Sequence, residues 1–449
     1  MTRRKSQLSA QERSRALSAA KDAIGRKTPT KIVRSPSFDS LPGYKERQVM
    51  RDIGRLQNLG DPTFRELATR PGAVSQIQQK DVINFGSYDY IGLNADPRPA
   101  KAAKQAIDTF GVSASASRLT AGQRPVHRAL EEALARHYDV EDALTFVSGH
   151  ATNISTIATL VGKNDQIISD AFVHNSATVG IQLSGAARRS FAHNDFDALE
   201  TILADTAGQY RATLVIVEGH YSMDGDIPDL RRLIDLKSKY GFWLMVDEAH
   251  GLGCIGPTGK GVREVFDIPG QAVDIWMGTL SKSLGSTGGY IAGSRALIDI
   301  LKYEAPGSVY SVALAPNLAA AALTSLTILE QEPDRVAKLQ DNGAFFLEAA
   351  QKAGLDTGFS IGSSIVPVIV GHTALALAAS QELLQRGFNV LPIAFPGVPM
   401  NEARLRFFIS SEHTKAQVSD AVNVTADILN DLRESQLEAK VQSAISGIT

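Results

Sequence analysis

Two short apolar runs, Phe242–Val246 and Val273–Met277, lead almost directly into polar residues: Asp247-Glu248-Ala249-His250 after the first, Thr279-Leu280-Ser281-Lys282 after the second. Apolar runs of this length without alternation predict strands buried on both faces, handing side chains at their carboxyl ends to a crevice. The same texture recurs upstream. Ala143–Val147 runs into Ser148-Gly149-His150, Gln166–Ser169 into Asp170 and a loop to His174, and Leu214–Glu218 into Gly219-His220-Tyr221-Ser222. Helical patterns separate these runs: Pro97–Phe110, stopped at Gly111, then Val126–Tyr138, a segment ending at Leu160, and Leu230–Tyr240. Strands alternating with helices predict an α/β fold with a mostly parallel sheet covered on both faces. After Pro316 the texture changes to a long alanine-rich helix reaching about Glu330 and a second helix over Val336–Ala353. A strand at Ile365–Val370, a helix at Thr373–Gly387 and a short strand at Leu405–Ile409 follow, as expected of a smaller α+β domain. The expected division is an extension and connecting arm over residues 1–80, a large domain over 81–315 and a small C-terminal domain over 316–449, with helical character at Tyr44–Leu59 and a first core strand at Val82–Phe85.

Composition narrows the classes. Of the 449 residues, 43% are hydrophobic and 21% charged, the balance of a soluble globular protein, and a net charge of −2 gives no global reason to expect a nucleic-acid partner. The single cysteine, Cys254, excludes an intrachain disulfide and a cysteine-based metal cluster, and beside Gly253 it reads as a small apolar filler. The most apolar stretch, Val312–Leu329, is interrupted by Pro316, Asn317, Thr324, Ser325 and Thr327, which predicts a buried helix rather than a membrane span. Without a signal-peptide apolar region, cytoplasm is the default location. Residues 1–37 are strongly basic, with ten Lys and Arg against Glu12 and Asp22, and Ser9–Lys27 carries a weak apolar stripe at Leu17, Ala20 and Ile24. A solvated tail is the simplest reading, beside a helix docking on a membrane surface or a partner, or an organelle transit peptide.

The strand ends suggest a chemistry. Pyridoxal phosphate requires a lysine amine for its aldehyde and an acid for its pyridine nitrogen, and Lys282 and Asp247 supply that pair. The plain alternative is a buried ion pair. Gly149 and His150 follow a strand and open a helix, where backbone N–H groups and the helix dipole favour a phosphate. Thr279, three residues before Lys282, could add a hydroxyl to the same phosphate. Asp247 as a carboxylate would keep the pyridine nitrogen protonated, His250 could bond the ring oxygen, and His174 could stack on the ring. Each histidine alone reads more readily as a structural residue; their joint placement after strands favours the cofactor.

The span from Val82 to His413 resembles the α-oxoamine synthases, a family of fold-type-I pyridoxal phosphate enzymes. The resemblance is carried by SYDYIGL, SGHATN, DAFVHNS, EGHYSMDGD, VDEAHGLGCIGPTGKGV, GTLSKSLGSTGGY and ARLRF, in family order. It implies a large parallel-sheet domain with a smaller C-terminal domain, working as a homodimer. It implies that Lys282 holds the cofactor and later acts as base, that Asp247 pairs with the pyridinium, and that His250 and Ser222 meet the ring hydroxyl. His174 would stack on the ring and orient a thioester, Gly149, His150 and Thr279 would anchor the phosphate, and Arg406 would bind the amino acid carboxylate, Arg404 being structural. The implied reaction is a decarboxylating Claisen condensation. The freed Lys282 removes the Cα proton of an amino acid, the carbanion attacks an acyl thioester, the thiol leaves, and loss of CO2 gives an α-amino ketone. Tyr88, in Ser87-Tyr88-Asp89-Tyr90, is similar to the pattern of serine palmitoyltransferases, where the phenol would reach the substrate carboxylate; a core aromatic is the plain alternative. This favours serine and a long-chain acyl thioester, with a product such as 3-ketosphinganine. Glycine or alanine as the amino acid, and CoA or an acyl carrier protein as the acyl carrier, stay open. The stretch SASASRLTAGQRPVHRALE resembles forms found with carrier-protein-dependent synthases, whose acidic carrier the basic N-terminus could dock. One departure stands out: around Tyr310-Ser311-Val312-Ala313, Ser311 alone remains where relatives place further hydroxyls toward the neighbouring subunit's phosphate. The competing readings are an aminotransferase on the same fold, a non-catalytic partner subunit and a membrane-bound scaffold.

Overall fold

The computed structural model describes residues 37–45, 47, 48, 51, 62–395, 397–399 and 401–435. The basic stretch up to residue 36, with its expected helix at Ser9–Lys27, lies outside the described residues, as does most of Tyr44–Leu59.

A hairpin opens the ordered core, β1 (Val74–Ile77) pairing antiparallel with β2 (Lys80–Asn84). The strands that follow are β3 (Asp142–Phe146), β4 (Gln166–Asp170), β5 (Ala187–Phe191), β6 (Thr213–Glu218), β7 (Trp243–Asp247), β8 (Ile275–Thr279) and β9 (Gly289–Gly293). They form one seven-stranded sheet in the order β3-β9-β8-β7-β6-β4-β5. All neighbours from β8 to β5 are parallel, and only β9 runs against its two neighbours. The unbroken apolar runs follow from burial on both faces. Val215, Val217, Leu244, Val246 and Trp276 enter one core, whereas Leu214, Ile216, Met245, Ile275 and Met277 enter another on the opposite face.

The C-terminal part contains β10 (Ile365–Gly371), β11 (Phe388–Asn389), β12 (Leu391–Ile393) and β13 (Ala403–Phe408). A three-stranded antiparallel sheet is ordered β10-β13-β12, and β11 adds in parallel to β2. The opening hairpin is therefore stitched to the C-terminal segment, not to the large sheet. Arg65 reinforces that seam, donating to Asn389 Oδ1 at 2.9 Å and Ser380 Oγ at 2.9 Å. Helices Pro316–Gln331, Asp334–Lys352, Thr373–Gln385 and Lys415–Glu434 complete this part. Among the described residues no helix is long and apolar enough to cross a membrane, and Val312–Leu329 maps mainly onto a helix whose Ala319, Ala322, Leu326 and Leu329 are buried.

Direction decides where function can lie. β3, β4, β6, β7 and β8 point the same way, so the residues that follow each of them emerge along one edge of the sheet. A charged clamp holds part of that edge. His193 meets Asp170 Oδ1 through Nδ1 at 3.0 Å and Asp226 Oδ2 through Nε2 at 2.9 Å. Both ring nitrogens face carboxylates, so both donate and the ring is an imidazolium. Burial opposes the charge, but bonding and attraction from Asp170 and Asp226 outweigh it and raise the pKa from 6.5 to about 10. A raised folded pKa gives stabilisation that is complete below the unfolded value and lost as pH rises toward 10. We expect the denaturation midpoint to fall over that window. His193→Leu should remove this component of the slope and cost about 3 kcal/mol near neutral pH. Identical pH slopes for the two proteins in chemical denaturation would refute the clamp.

Candidate active site

Asp247 ends β7 directly beside Glu218, its register partner at the end of β6. Its carboxylate is buried and oriented by two donors, the side-chain amide of Asn153 to Oδ2 at 2.8 Å and the backbone N–H of Ala249 to Oδ1 at 3.0 Å. Glu218 accepts the N–H of Ser222 at 3.1 Å, while its other oxygen is buried without a partner. Burial and the adjacent Asp247 push Glu218 up to about 8.

Three residues past β3, helix Gly149–Leu160 begins, with Ser148 as its N-cap accepting from Ala151 at 3.1 Å. Its first N–H groups lack intrahelical partners and face the direction an anion prefers. Gly149 packs against the end of β8, where an added Cβ would come within 3.0 Å of Thr279 Oγ1. Thr279 Oγ1 lies 2.8 Å from Ser281 Oγ and 3.0 Å from the Gly288 carbonyl, so Ser281 joins Gly149 and Thr279 at this end of β8, while the His150 side chain is exposed.

Lys282 follows β8 with no hydrogen bond or ion pair to any described residue; its amine lies 5.6 Å from the centre of the Tyr88 ring. Burial lowers its pKa to about 8 against the pull of Asp247 and Glu218. His250 Nδ1 lies in hydrogen-bond contact with the Tyr90 hydroxyl at 2.8 Å, leaving Nε2 for a ligand. Burial first, then Lys282 and Arg406, hold its pKa well below 6.5, so the ring is neutral.

Arg406 and Phe408 lie on one face of β13, since alternate strand residues point the same way. The Arg406 guanidinium stacks on Phe408 at 4.5 Å and donates to the Ser222 carbonyl at 2.9 Å, and its Nε is buried without a partner. The Tyr88 ring lies 4.9 Å from the same Phe408 ring. Tyr88 is 41% exposed, which removes the core-aromatic reading. Arg404 is instead committed, buried and paired with Asp224 at 2.7 Å.

The structure therefore brings Asp247, His250, Lys282, Tyr88 and Arg406 around one crevice, with Gly149 and Thr279 packed together at the end of β8. His174 joins through a hydrogen-bonded chain: its Nδ1 meets Ser176 Oγ at 2.7 Å, and Ser176 Oγ accepts from Asn153 at 2.9 Å. Asn153, Ser176, Tyr90, Glu218 and Ser281 are the residues that sequence reasoning gave no role. Asn153 was the most accessible of them, one helical turn after Gly149 and on the same face. No group of three or more potential metal ligands occurs among the described residues.

These features fit pyridoxal phosphate. An unbonded lysine amine of lowered pKa, a carboxylate fixed by two N–H donors, and a helix start crowded by Thr279 are the parts that the group requires. The orphaned Arg406 Nε adds a place for an anionic substrate group.

Comparison with known proteins gives a consistent picture. The family model described as aminotransferase class I and II matches residues 80–424. The 8-amino-7-oxononanoate synthase of Symbiobacterium thermophilum is 38% identical over 394 residues, covering 88% of this chain and 97% of that protein. Serine palmitoyltransferase 3 of Homo sapiens is 36% identical over 445 residues, covering 92% of this chain and 80% of that protein. A variant of the serine palmitoyltransferase of S. paucimobilis, solved with PLP and myriocin bound, matches with a TM-score of 0.84 at 30% identity, covering 88% of this chain and 99% of that one.

Proposed function

Because the chain belongs to the class I and II aminotransferase family and, within it, to the PLP-dependent α-oxoamine synthases, we propose that it condenses serine with a long-chain acyl thioester to an α-amino ketone of the 3-ketosphinganine kind. Carbon dioxide and a free thiol are the other products. The observation that carries this reading is the corner formed by Tyr88, Arg406 and Phe408 beside the Lys282 amine.

Pyridoxal phosphate, bound in the crevice, supplies an electron-accepting ring. Lys282 would hold it through the side-chain amine, Asp247 would pair with the pyridine nitrogen, His250 and Ser222 would meet the ring hydroxyl, and His174 would stack on the ring. Gly149, His150 and Thr279 would hold the phosphate, with Ser281 alongside. Arg406 receives the serine carboxylate on the guanidinium edge left free by Ser222, and the Tyr88 phenol adds a second donor. Lys282, once released, takes the Cα proton onto Nζ. A bond forms between Cα and the acyl carbon, the C–S bond breaks, and the leaving sulfur takes up a proton from solvent, since the proton on Lys282 is kept for Cα. Loss of the carboxylate then breaks the Cα–carboxyl bond, and Lys282 returns a proton to Cα. Phe408 and Tyr90, both buried, wall one side of the corner.

A second reading, glycine or alanine in place of serine, is favoured by the identity to the 8-amino-7-oxononanoate synthase. An absorbance titration of the cofactor-loaded protein with serine, glycine and alanine, each followed by acyl-CoA or acyl carrier protein, separates them. We expect a saturable shift at low serine and stoichiometric release of CO2 and thiol once the right thioester arrives. A response confined to alanine or glycine would discard serine, and amino-group transfer without thiol release would overturn the condensation itself.

A further inference from the structure

We infer that Asn153 and Ser176 form a relay that locks His174 in the tautomer carrying its proton on Nε2, making His174 a hydrogen-bond donor, never an acceptor, to the substrate in the crevice. The role toward substrate rests on the reading above; the tautomer does not.

The argument starts at Asp247. A carboxylate only accepts, so the Asn153 atom 2.8 Å from Asp247 Oδ2 is the amide nitrogen, which fixes the orientation of that side chain. The second N–H of the same nitrogen reaches Ser176 Oγ at 2.9 Å. Ser176 Oγ can then donate its own proton to His174 Nδ1, 2.7 Å away. A second observation requires the same assignment: His174 is the N-cap of helix Asn175–Ser184, and the backbone N–H of Ser176 donates to its Nδ1 at 3.2 Å. An N–H has no lone pair, so Nδ1 must accept and a neutral ring carries its proton on Nε2. The crevice keeps the ring neutral. Partial burial, Lys282, His150 and Arg406 lower its pKa, and only Asp247 pulls the other way. Nε2 makes no hydrogen bond to any described residue and is the ring's one polar atom left for a ligand. Its partner is an oxygen that carries negative charge or develops it, such as a carboxylate or thioester carbonyl. Asn153 and Ser176 touch neither and act as positioning residues.

The test is nitrogen NMR on protein labelled with 15N-histidine, with and without cofactor, the His174 signals assigned by their loss in His174→Phe. Wild type should show a pyridine-type Nδ1 and a pyrrole-type Nε2 in both forms. Asn153→Ala should raise the population protonated on Nδ1 and raise the amino acid KM about tenfold with a smaller change in kcat. Ser176→Ala should do the same, and Ser176→Thr, which keeps the hydroxyl, should restore both. A proton on Nδ1 in wild type overturns the relay whatever the substrate is, as do alanine variants with unchanged tautomer and KM. Failure of the proposed function reads differently: the titrations with amino acids would be silent while the tautomer pattern persisted.

Discussion

Lys282→Ala should lower turnover by about four orders of magnitude while leaving the folded state intact. The two halves of that expectation have separate physical grounds. In the reaction, this amine both holds the cofactor and carries the Cα proton, and no neighbouring side chain can replace it. His250 is neutral but tied to Tyr90, and Glu218, pushed up to about 8, keeps its own proton near neutral pH. In the fold, the amine makes no hydrogen bond or ion pair to a described residue and lies 5.6 Å from the centre of the Tyr88 ring. Removing a desolvated amine whose pKa is lowered to about 8 leaves no broken network behind. The denaturation midpoint should therefore stay within about 1 kcal/mol of wild type. The lowered pKa adds a kinetic signature in the cofactor-free protein. Only the neutral amine attacks an aldehyde, so cofactor uptake should speed up about tenfold per pH unit and level off above about 8. Rapid-mixing absorbance measures it. A Lys282→Ala variant that turns over normally, or one that unfolds, would each contradict the assignment.

Much of this was legible from the strand ends, because a parallel sheet converts chain order into spatial convergence. Asp247, Lys282, Gly149 and His174 follow four codirectional strands, so knowing the strands was nearly equivalent to knowing the edge. What escaped notice is equally instructive. β5, with Arg188, Arg189 and Ser190 exposed at the sheet margin, lacks the apolar signature of a buried strand. β9, Gly-Tyr-Ile-Ala-Gly, is bounded by glycines that imitate a loop, yet it is buried throughout. In the run from Gly251 to Gly261, the first and last glycines answer to one side chain. A Cβ at Gly251 would lie 1.6 Å from Glu248 Oε2, and one at Gly261 2.3 Å from Oε1. Contacts such as Tyr90 to His250 join residues 160 positions apart, and no local pattern announces them. The two arginines of ARLRF show the limit most clearly. Their spacing puts both on one face of β13, and only the third dimension reveals that Asp224 saturates Arg404 and leaves Arg406 Nε without a partner.

Asp247→Asn should cost about 100- to 1000-fold in turnover, and its effect should reach beyond the lost charge. The wild-type carboxylate accepts from Asn153 at Oδ2 and from the Ala249 N–H at Oδ1, so each oxygen has its own donor. An amide has one acceptor, and whichever way it turns, an N–H would face an N–H. That conflict should cost about 1–3 kcal/mol of stability. It should also loosen the Asn153 amide on which the His174 orientation depends. The electrostatic consequences have definite signs. Asp247 is the strongest attraction acting on Lys282, so its neutralisation should carry the Lys282 pKa below 8. The same charge is, after burial, the main reason that Glu218 stands at about 8, so Glu218 should titrate lower in the variant. The midpoint of cofactor uptake against pH should then move to lower pH although fewer enzymes complete a cycle. A shift of the uptake midpoint together with the fall in turnover would tie both effects to one carboxylate. A fall in turnover with an unmoved midpoint would mean that Asp247 acts on the reaction without acting on Lys282, and the shared crevice would have to be redrawn.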